Sequence, residues 1–221
     1  MLNIFPYYLM VLFIIYLTII SFISNIKKSP KKIKVSFAIM LALTFFRQVT
    51  ILLCGLVSKQ EYLNIVKPAS FLYFLYVPII VLICFYIFWR NDKVKFTKVN
   101  ILSLILFAIY FITILLFKPY FKASWHYGYI ITTDNDVVFK AIYILILMGI
   151  LSFIILSKKN SYCNSKGIIL LIMVVVAIMI ENSLYLVGIY YFPNCIISEV
   201  LLLLTCSYGI STFKRSVNGK F

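Results

Sequence analysis

Long, uninterrupted runs of apolar residues dominate the chain, and short polar segments separate them. Seven runs of 19 to 23 residues stand out, at residues 4–24, 35–57, 70–89, 99–117, 138–157, 167–188 and 195–213. A bilayer core of about 30 Å is crossed by about 20 residues of α-helix, so each run is long enough to span a membrane. The runs are continuously apolar and do not alternate, which favours helices over the strands of a barrel. The pattern predicts an all-α integral membrane protein, a bundle of seven transmembrane helices.

The seven runs follow one another without a low-complexity linker, which predicts a single membrane domain over residues 1–213 and a short tail over residues 214–221. The first run is too long for a cleavable signal peptide, and it lacks both a basic leading segment and a small-residue cleavage site. We also find no internal repeat of the kind that underlies inverted-repeat transporters.

The composition of the chain excludes two other classes of protein. The chain is 64% hydrophobic and 12% charged, whereas soluble domains are about 45–50% apolar and about 25% charged. A water-soluble fold is excluded, and so is disorder, which requires low hydrophobicity and high charge. Five cysteines without paired spacing argue against a disulfide framework and are typical of small buried hydrophobic residues.

The distribution of positive charge predicts the orientation. Alternate loops carry fifteen basic residues, namely Lys27, Lys28, Lys31, Lys32, Lys34, Arg90, Lys93, Lys95, Lys98, Lys158, Lys159, Lys166, Lys214, Arg215 and Lys220. The other loops carry four, namely Lys59, Lys67, Lys118 and Lys122. Because Lys and Arg hold short loops in the cytoplasm, we expect the N-terminus outside and the C-terminus inside. The net charge of +15 is thus explained by the membrane, and no nucleic-acid partner is expected.

Apart from Lys140, near the start of the fifth run, three charged residues lie inside apolar runs, where charge is costly and often functional. Arg47 is near the middle of the second run, Glu181 lies in the sixth, and Glu199 is one turn into the seventh. Asn182 follows Glu181 and adds hydrogen-bonding capacity. We predict that these four residues form an outward-facing ligand pocket. The alternative is a buried pair between Arg47 and Glu181 that only fixes helix packing, with Glu199 near water at the interface.

The longest predicted outer loop, residues 118–137, is rich in aromatic residues and contains Trp125, His126 and Tyr127. These three are candidates for the rim of an outer cavity, since loops often carry binding residues. The alternative is an aromatic stretch that lies on the lipid headgroups. We expect no metal site, because His126 is the only histidine. Asp134 and Asp136 are expected to cap the fifth helix.

No motif for nucleophilic catalysis, a phosphate-binding loop or a metal hydrolase is present. A retinal protein is excluded as well, because the last run contains no lysine for a Schiff base. We therefore expect a non-enzymatic protein without catalytic residues or cofactors.

Three segments resemble the N-terminal seven-transmembrane sensor region of bacterial histidine kinases and related signalling proteins. They are residues 62–90 with Pro68 and Pro78, the outer loop over residues 118–128, and residues 181–188 followed by a short turn. The resemblance implies an input domain in a bacterial plasma membrane that changes its helix arrangement when it binds a signal. Such regions usually continue into a coiled coil, a PAS domain or a kinase domain, whereas only residues 214–221 follow the last run here.

The sequence thus predicts a multi-pass, signal-sensing module that passes its signal to a cytoplasmic partner or output domain. An unknown small ligand would shift the population between two helix packings, with Pro78 as a hinge. Two alternatives remain open, a small-solute transporter or substrate-capture subunit, and an immunity or assembly partner protein.

Overall fold

A computed structural model describes residues 4–57, 63–90, 96–124, 127–157, 163–189 and 191–218. Within these residues, seven helical spans are long and apolar enough to cross a membrane, which confirms the predicted seven-helix membrane fold. The helices are α1 (Ile4–Lys28), α2 (Lys31–Leu56), α3 (Tyr73–Trp89), α4 (Thr97–Leu116), α5 (Asp136–Ser157), α6 (Ser165–Leu186) and α7 (Ile196–Asn218). A 3-10 helix at Asn64–Leu72 leads directly into α3 and completes the third span.

Helix α3 forms the centre of the bundle and α4 lies at its edge. In the apolar stretch of the third span 83% of the residues are buried, against 6% in that of α4, where only Leu106 is buried. α3 packs against α2, α4, α5, α6 and α7, while α1 packs between α2 and α7. The difference follows from sequence, because α3 carries no charged residue and is apolar all round, as a fully enclosed helix must be.

One end of the bundle, which we call the hairpin end, carries two short antiparallel strands, β1 (Pro119–Ser124) and β2 (Gly128–Thr133). Pro119 pairs with Thr133 and Ser124 pairs with Gly128. The sequence predicted only an aromatic loop here, so this regular backbone pairing was missed.

The hairpin is fixed to the ends of the helices around it. The hydroxyl of Tyr8 in α1 donates to the backbone carbonyl of Tyr127 over 3.1 Å. Gly128 lies against the end of α2, where an added Cβ would come within 2.7 Å of the carbonyl oxygen of Cys54. The start of α1, the end of α2 and the hairpin therefore meet at one end of the bundle.

The opposite end, the basic end, brings together the end of α3 with α5 and α6. Phe88 accepts a backbone hydrogen bond from Asn164 over 2.8 Å, and the indole Nε1 of Trp89 donates to the carbonyl of Ser157 over 3.1 Å. The lysine-rich loops of the sequence connect helices at this end. The helices thus alternate in direction, as seven successive membrane crossings require.

Two helix ends at the hairpin end have clear local causes. Helix α6 ends at Leu186 and is followed by Gly188 at φ +85°. The N–H of Gly188 donates to the carbonyl of Tyr185, and the N–H of Ile189 donates to the carbonyl of Leu184. This pair of bonds is the Schellman motif, which satisfies carbonyls that the helix end leaves free. The expectation that Asp136 caps α5 was wrong, because Asp136 is the first helical residue and its carboxylate binds Lys140 over 2.9 Å. Capping by Asp134 stays a prediction.

Pro78 lies inside α3 and is buried. A proline has no N–H, so the carbonyl of Phe74 lacks its usual partner one turn later. Its role as a hinge stays a prediction.

Candidate functional site

A buried ion pair joins α2 to α7 near the hairpin end. Nη1 of Arg47 lies 2.6 Å from Oε2 of Glu199, and the two residues are only 2% and 1% exposed. The hypothesis that Arg47 pairs with Glu181 is therefore wrong, as is the placement of Glu199 near water. An isolated buried charge is costly, and here each charge is compensated by the other.

Further hydrogen bonds complete a network around this pair. Nε of Arg47 donates to the carbonyl of Ser70 over 3.2 Å, and Nη1 also donates to the hydroxyl of Tyr76 over 3.2 Å. Oε1 of Glu199 accepts from the hydroxyl of Tyr76 and from Nε2 of Gln48, the latter over 2.8 Å. The network thus links α2, the 3-10 helix, α3 and α7. Sequence reasoning missed Gln48 and Tyr76, although Gln48 is next to Arg47 and a tyrosine is a polar group within an apolar run.

Glu181 accepts hydrogen bonds from the first turn of α7 and does not bind Arg47. Its carboxylate accepts the backbone N–H of Ile197 over 3.3 Å and that of Ser198 over 3.0 Å. The first N–H groups of a helix lack internal partners and carry partial positive charge, which a carboxylate neutralises. Glu181 and Glu199 therefore both hold the start of α7, one to α6 and the other to α2.

A small polar cavity, the polar recess, lies beside this network. It measures about 40 Å³, and its lining includes Arg47, Ser70, Asp136, Lys140, Asn182 and Asn194. Lys140 is 7% exposed, and its Nζ binds Asp136 over 2.9 Å and lies 2.7 Å from the centroid of the Tyr185 ring. The recess therefore contains two cations, each paired with a carboxylate. Lys140 was not among the predicted site residues.

Asn182 contributes an acceptor that is left without a donor. The residue is fully buried, and its Nδ2 donates to the carbonyl of Ile178 over 2.8 Å. Its Oδ1 has no hydrogen-bond partner among the residues that the structure describes. Buried polar atoms are nearly always paired. Oε1 of Gln48 in the network is unpaired as well, but of these two residues only Asn182 lines the recess, so its Oδ1 is the acceptor that a donor in the recess would bind.

Strand β2 closes the polar recess, because Ile131 and Thr132 also line it. Of the three predicted rim residues, Tyr127 lies at the turn of the hairpin, with its ring 5.1 Å from that of Tyr7. Trp125 and His126 lie outside the described residues.

A larger apolar cavity, the α6–α7 chamber, adjoins the recess. It measures about 290 Å³, and α6 and α7 contribute Ala177, Ile180, Leu184 and Ile197 to its lining. Tyr185, Asn194 and Cys195 line both cavities and form the partition between them.

Three of the four predicted pocket residues, Arg47, Asn182 and Glu199, lie at the recess or its network, whereas Glu181 is held apart by the first turn of α7. Arg47 and Asn182 line the recess, Glu199 neutralises Arg47, and Glu181 lines the chamber. The described residues contain no group of three His, Cys, Asp or Glu side chains that could hold a metal ion. No protein family, curated protein or solved structure matches the chain.

Proposed function

We propose that this protein is a non-enzymatic, signal-sensing module of a bacterial plasma membrane, with the polar recess as its input site. The unpaired Oδ1 of Asn182 is the observation that carries the proposal. A ligand that donates a hydrogen bond there would occupy the space between α6 and the network that holds α7. It would thereby favour one helix packing over another.

Helix α7 provides the route to the opposite end of the bundle. It begins beside Glu199 and runs to the basic end, where Ser207 bonds to Ser21 of α1 over 2.8 Å and Tyr208 packs 5.9 Å from Phe88 of α3. A shift of α7 at the recess would change these contacts. A cytoplasmic partner or output domain would read that change.

We further propose that the hairpin end faces the exterior, so that the N-terminus is outside and the C-terminus inside. The fifteen basic residues in one set of loops, against four in the other, support this orientation. Epitope tags placed before Met1 and after Phe221 test it in intact cells. We expect antibody to reach only the first tag without permeabilisation. Tags that report the same compartment would contradict the orientation and the odd number of crossings.

The sensing mechanism predicts that a change in the network moves helices at the distant basic end. We choose Glu199→Gln, which removes the charge but preserves the size of the side chain. Spin labels attached through a ketone-bearing amino acid would replace Val35 and Ser211, both exposed at the basic end. In lipid nanodiscs we expect the distance between them, measured by electron paramagnetic resonance, to shift by about 1–2 Å, the scale of helix shifts in switching proteins.

The matched control is Asp134→Asn, which removes an exposed carboxylate near the same end as Glu199. It should leave the distance distribution unchanged. An unchanged distribution in Glu199→Gln as well would contradict the sensing mechanism and favour an assembly or immunity role without a conformational signal.

A small-solute transporter is the second candidate, because buried charges at membrane depth beside a cavity are also typical of substrate sites. Alternating access predicts opposite movements at the two ends. A second label pair at Leu56 and Val187, which are 81% and 74% exposed at the hairpin end, distinguishes the two mechanisms. A hairpin end that opens while the basic end closes would favour transport.

A further inference from the structure

We infer that the ligand is an uncharged amphiphile that enters from the bilayer between α6 and α7, with its apolar body in the α6–α7 chamber and a hydrogen-bond-donating head in the polar recess. The inference rests on the proposed function and names the chemical class of its ligand. It follows from the lining of the two cavities, the balance of charge in the recess and the direction in which the chamber opens.

The chamber opens toward lipid. Ile180, Leu184 and Ile197 line it and are 54%, 39% and 45% exposed, on helices that span the membrane. A volume of about 290 Å³ lies near the lower limit for small-molecule pockets, about 300–1,000 Å³, and its lining is mostly apolar, as in such pockets. Its occupant is therefore a small apolar body that is already dissolved in the bilayer.

The recess selects the head group. Arg47 is paired with Glu199 and Lys140 with Asp136, while the carboxylate of Glu181 in the chamber is held by two backbone N–H groups of α7. Among the described lining residues, a charged head would therefore find no charged group without a partner. Among the described residues that line the recess, the buried acceptor without a partner is the side-chain oxygen of Asn182, which accepts but cannot donate. A hydroxyl or a primary amide meets this requirement, because both donate without carrying charge.

Three residues line both cavities and lie between them. Tyr185, Asn194 and Cys195 form this partition. The largest of them is Tyr185, whose ring also contacts the ammonium group of Lys140. A ligand that extends from the chamber to the recess requires the Tyr185 ring to move aside. This movement changes the contact between the ring and the ammonium group of Lys140, near the start of α5.

The probe is decanol with a photoactivatable diazirine in its chain and a terminal alkyne, added to the full protein in nanodiscs. We expect saturable labelling of residues that line the chamber. Matched probes with a carboxylate or a trimethylammonium head should label several-fold less. Asn182→Leu removes the unpaired acceptor, together with the Nδ2 hydrogen bond to the carbonyl of Ile178 in the same helix. It should weaken apparent affinity for the alcohol about threefold to tenfold, the equivalent of one hydrogen bond to the ligand.

Ala177→Phe fills the chamber and should abolish saturable labelling. The matched control is Ala108→Phe on the exposed face of α4, which should leave it intact. Labelling that does not saturate, or that is the same in both variants, would mean simple partitioning into lipid and would overturn the inference. Equal labelling by all three head groups would overturn the assignment of the head.

The two proposals fail separately. Saturable labelling in a protein whose basic end does not move in Glu199→Gln would leave the ligand site standing and refute the sensing mechanism. Movement without labelling by the alcohol would refute the ligand class alone.

Discussion

Replacing Glu199 with leucine is expected to destabilise the folded protein by about 3–5 kcal/mol, because it leaves the buried guanidinium of Arg47 without a counter-charge. Arg47→Met should lower the free energy of unfolding by a similar amount, since it leaves the carboxylate of Glu199 buried without a counter-charge. Reversible unfolding in mixed micelles, driven by increasing SDS and followed by circular dichroism, measures both free energies.

The double variant Arg47→Met/Glu199→Leu is the decisive member of the series. Paired apolar replacements of a buried ion pair are often close to neutral. The remaining cost here is about 1–3 kcal/mol, because Tyr76, Gln48 and the carbonyl of Ser70 lose their partners. The double variant should thus be more stable than either single variant.

Asp134→Asn is the control for this series, because it changes an exposed carboxylate and should alter stability by less than about 0.5 kcal/mol. Effects that simply add in the double variant would contradict the pairing of Arg47 with Glu199. If a single variant does not fold, recovery of folded protein in the double variant still tests the pair.

The seven crossings could be predicted from sequence because a bilayer imposes a simple length requirement on apolar runs. The boundaries were less well predicted. Helix α1 extends to Lys28 and α7 to Asn218, beyond the last apolar residues of their runs. Backbone hydrogen bonding continues into the interfacial region, whereas the apolar pattern marks only the hydrocarbon core.

The members of the site were easier to predict than their partners. Arg47, Glu181 and Glu199 were visible because charges inside apolar runs are unusual. Sequence gives the depth of each residue, but not the direction in which its side chain faces around the helix. Arg47 pairs with Glu199 and not with Glu181, whose carboxylate accepts hydrogen bonds from the first turn of α7.

Two features of the hairpin end were not predicted from the sequence. Tyr73 and Tyr76 were counted as apolar residues, although the hydroxyl of Tyr76 is part of the network and the ring of Tyr73 lies 4.9 Å from the guanidinium carbon of Arg47. The strands β1 and β2 were missed because burial alternates only over the first four residues of β1 and not in β2, so the period of two that identifies a strand is too short to recognise.

Gly128→Ala is expected to detach the hairpin from the bundle and to destabilise the protein by about 2–4 kcal/mol. Gly128 has φ +71°, a left-handed conformation that costs an L-residue about 1–2 kcal/mol. The new Cβ would also lie 2.7 Å from the carbonyl oxygen of Cys54 and 3.0 Å from Cα of Gly55. Both contacts are backbone atoms that cannot rotate away, so the hairpin itself must move, at the cost of about 1–3 kcal/mol typical of overpacking.

Hydrogen exchange in nanodiscs measures the effect locally, because amides of β1 and β2 should exchange at least about tenfold faster once the hairpin opens more often. Gly149→Ala is the matched control, since apart from the chain neighbours and the nearby backbone of its own helix no atom lies within 4 Å of the added Cβ, and alanine favours a helix interior. Equal exchange in both variants would contradict the docking of the hairpin on α2. Because Ile131 and Thr132 of β2 line the polar recess, faster exchange should be accompanied by weaker retention of any ligand held there. Opening of the hairpin would thus expose the recess to water while the α6–α7 chamber, which β2 does not line, keeps its shape.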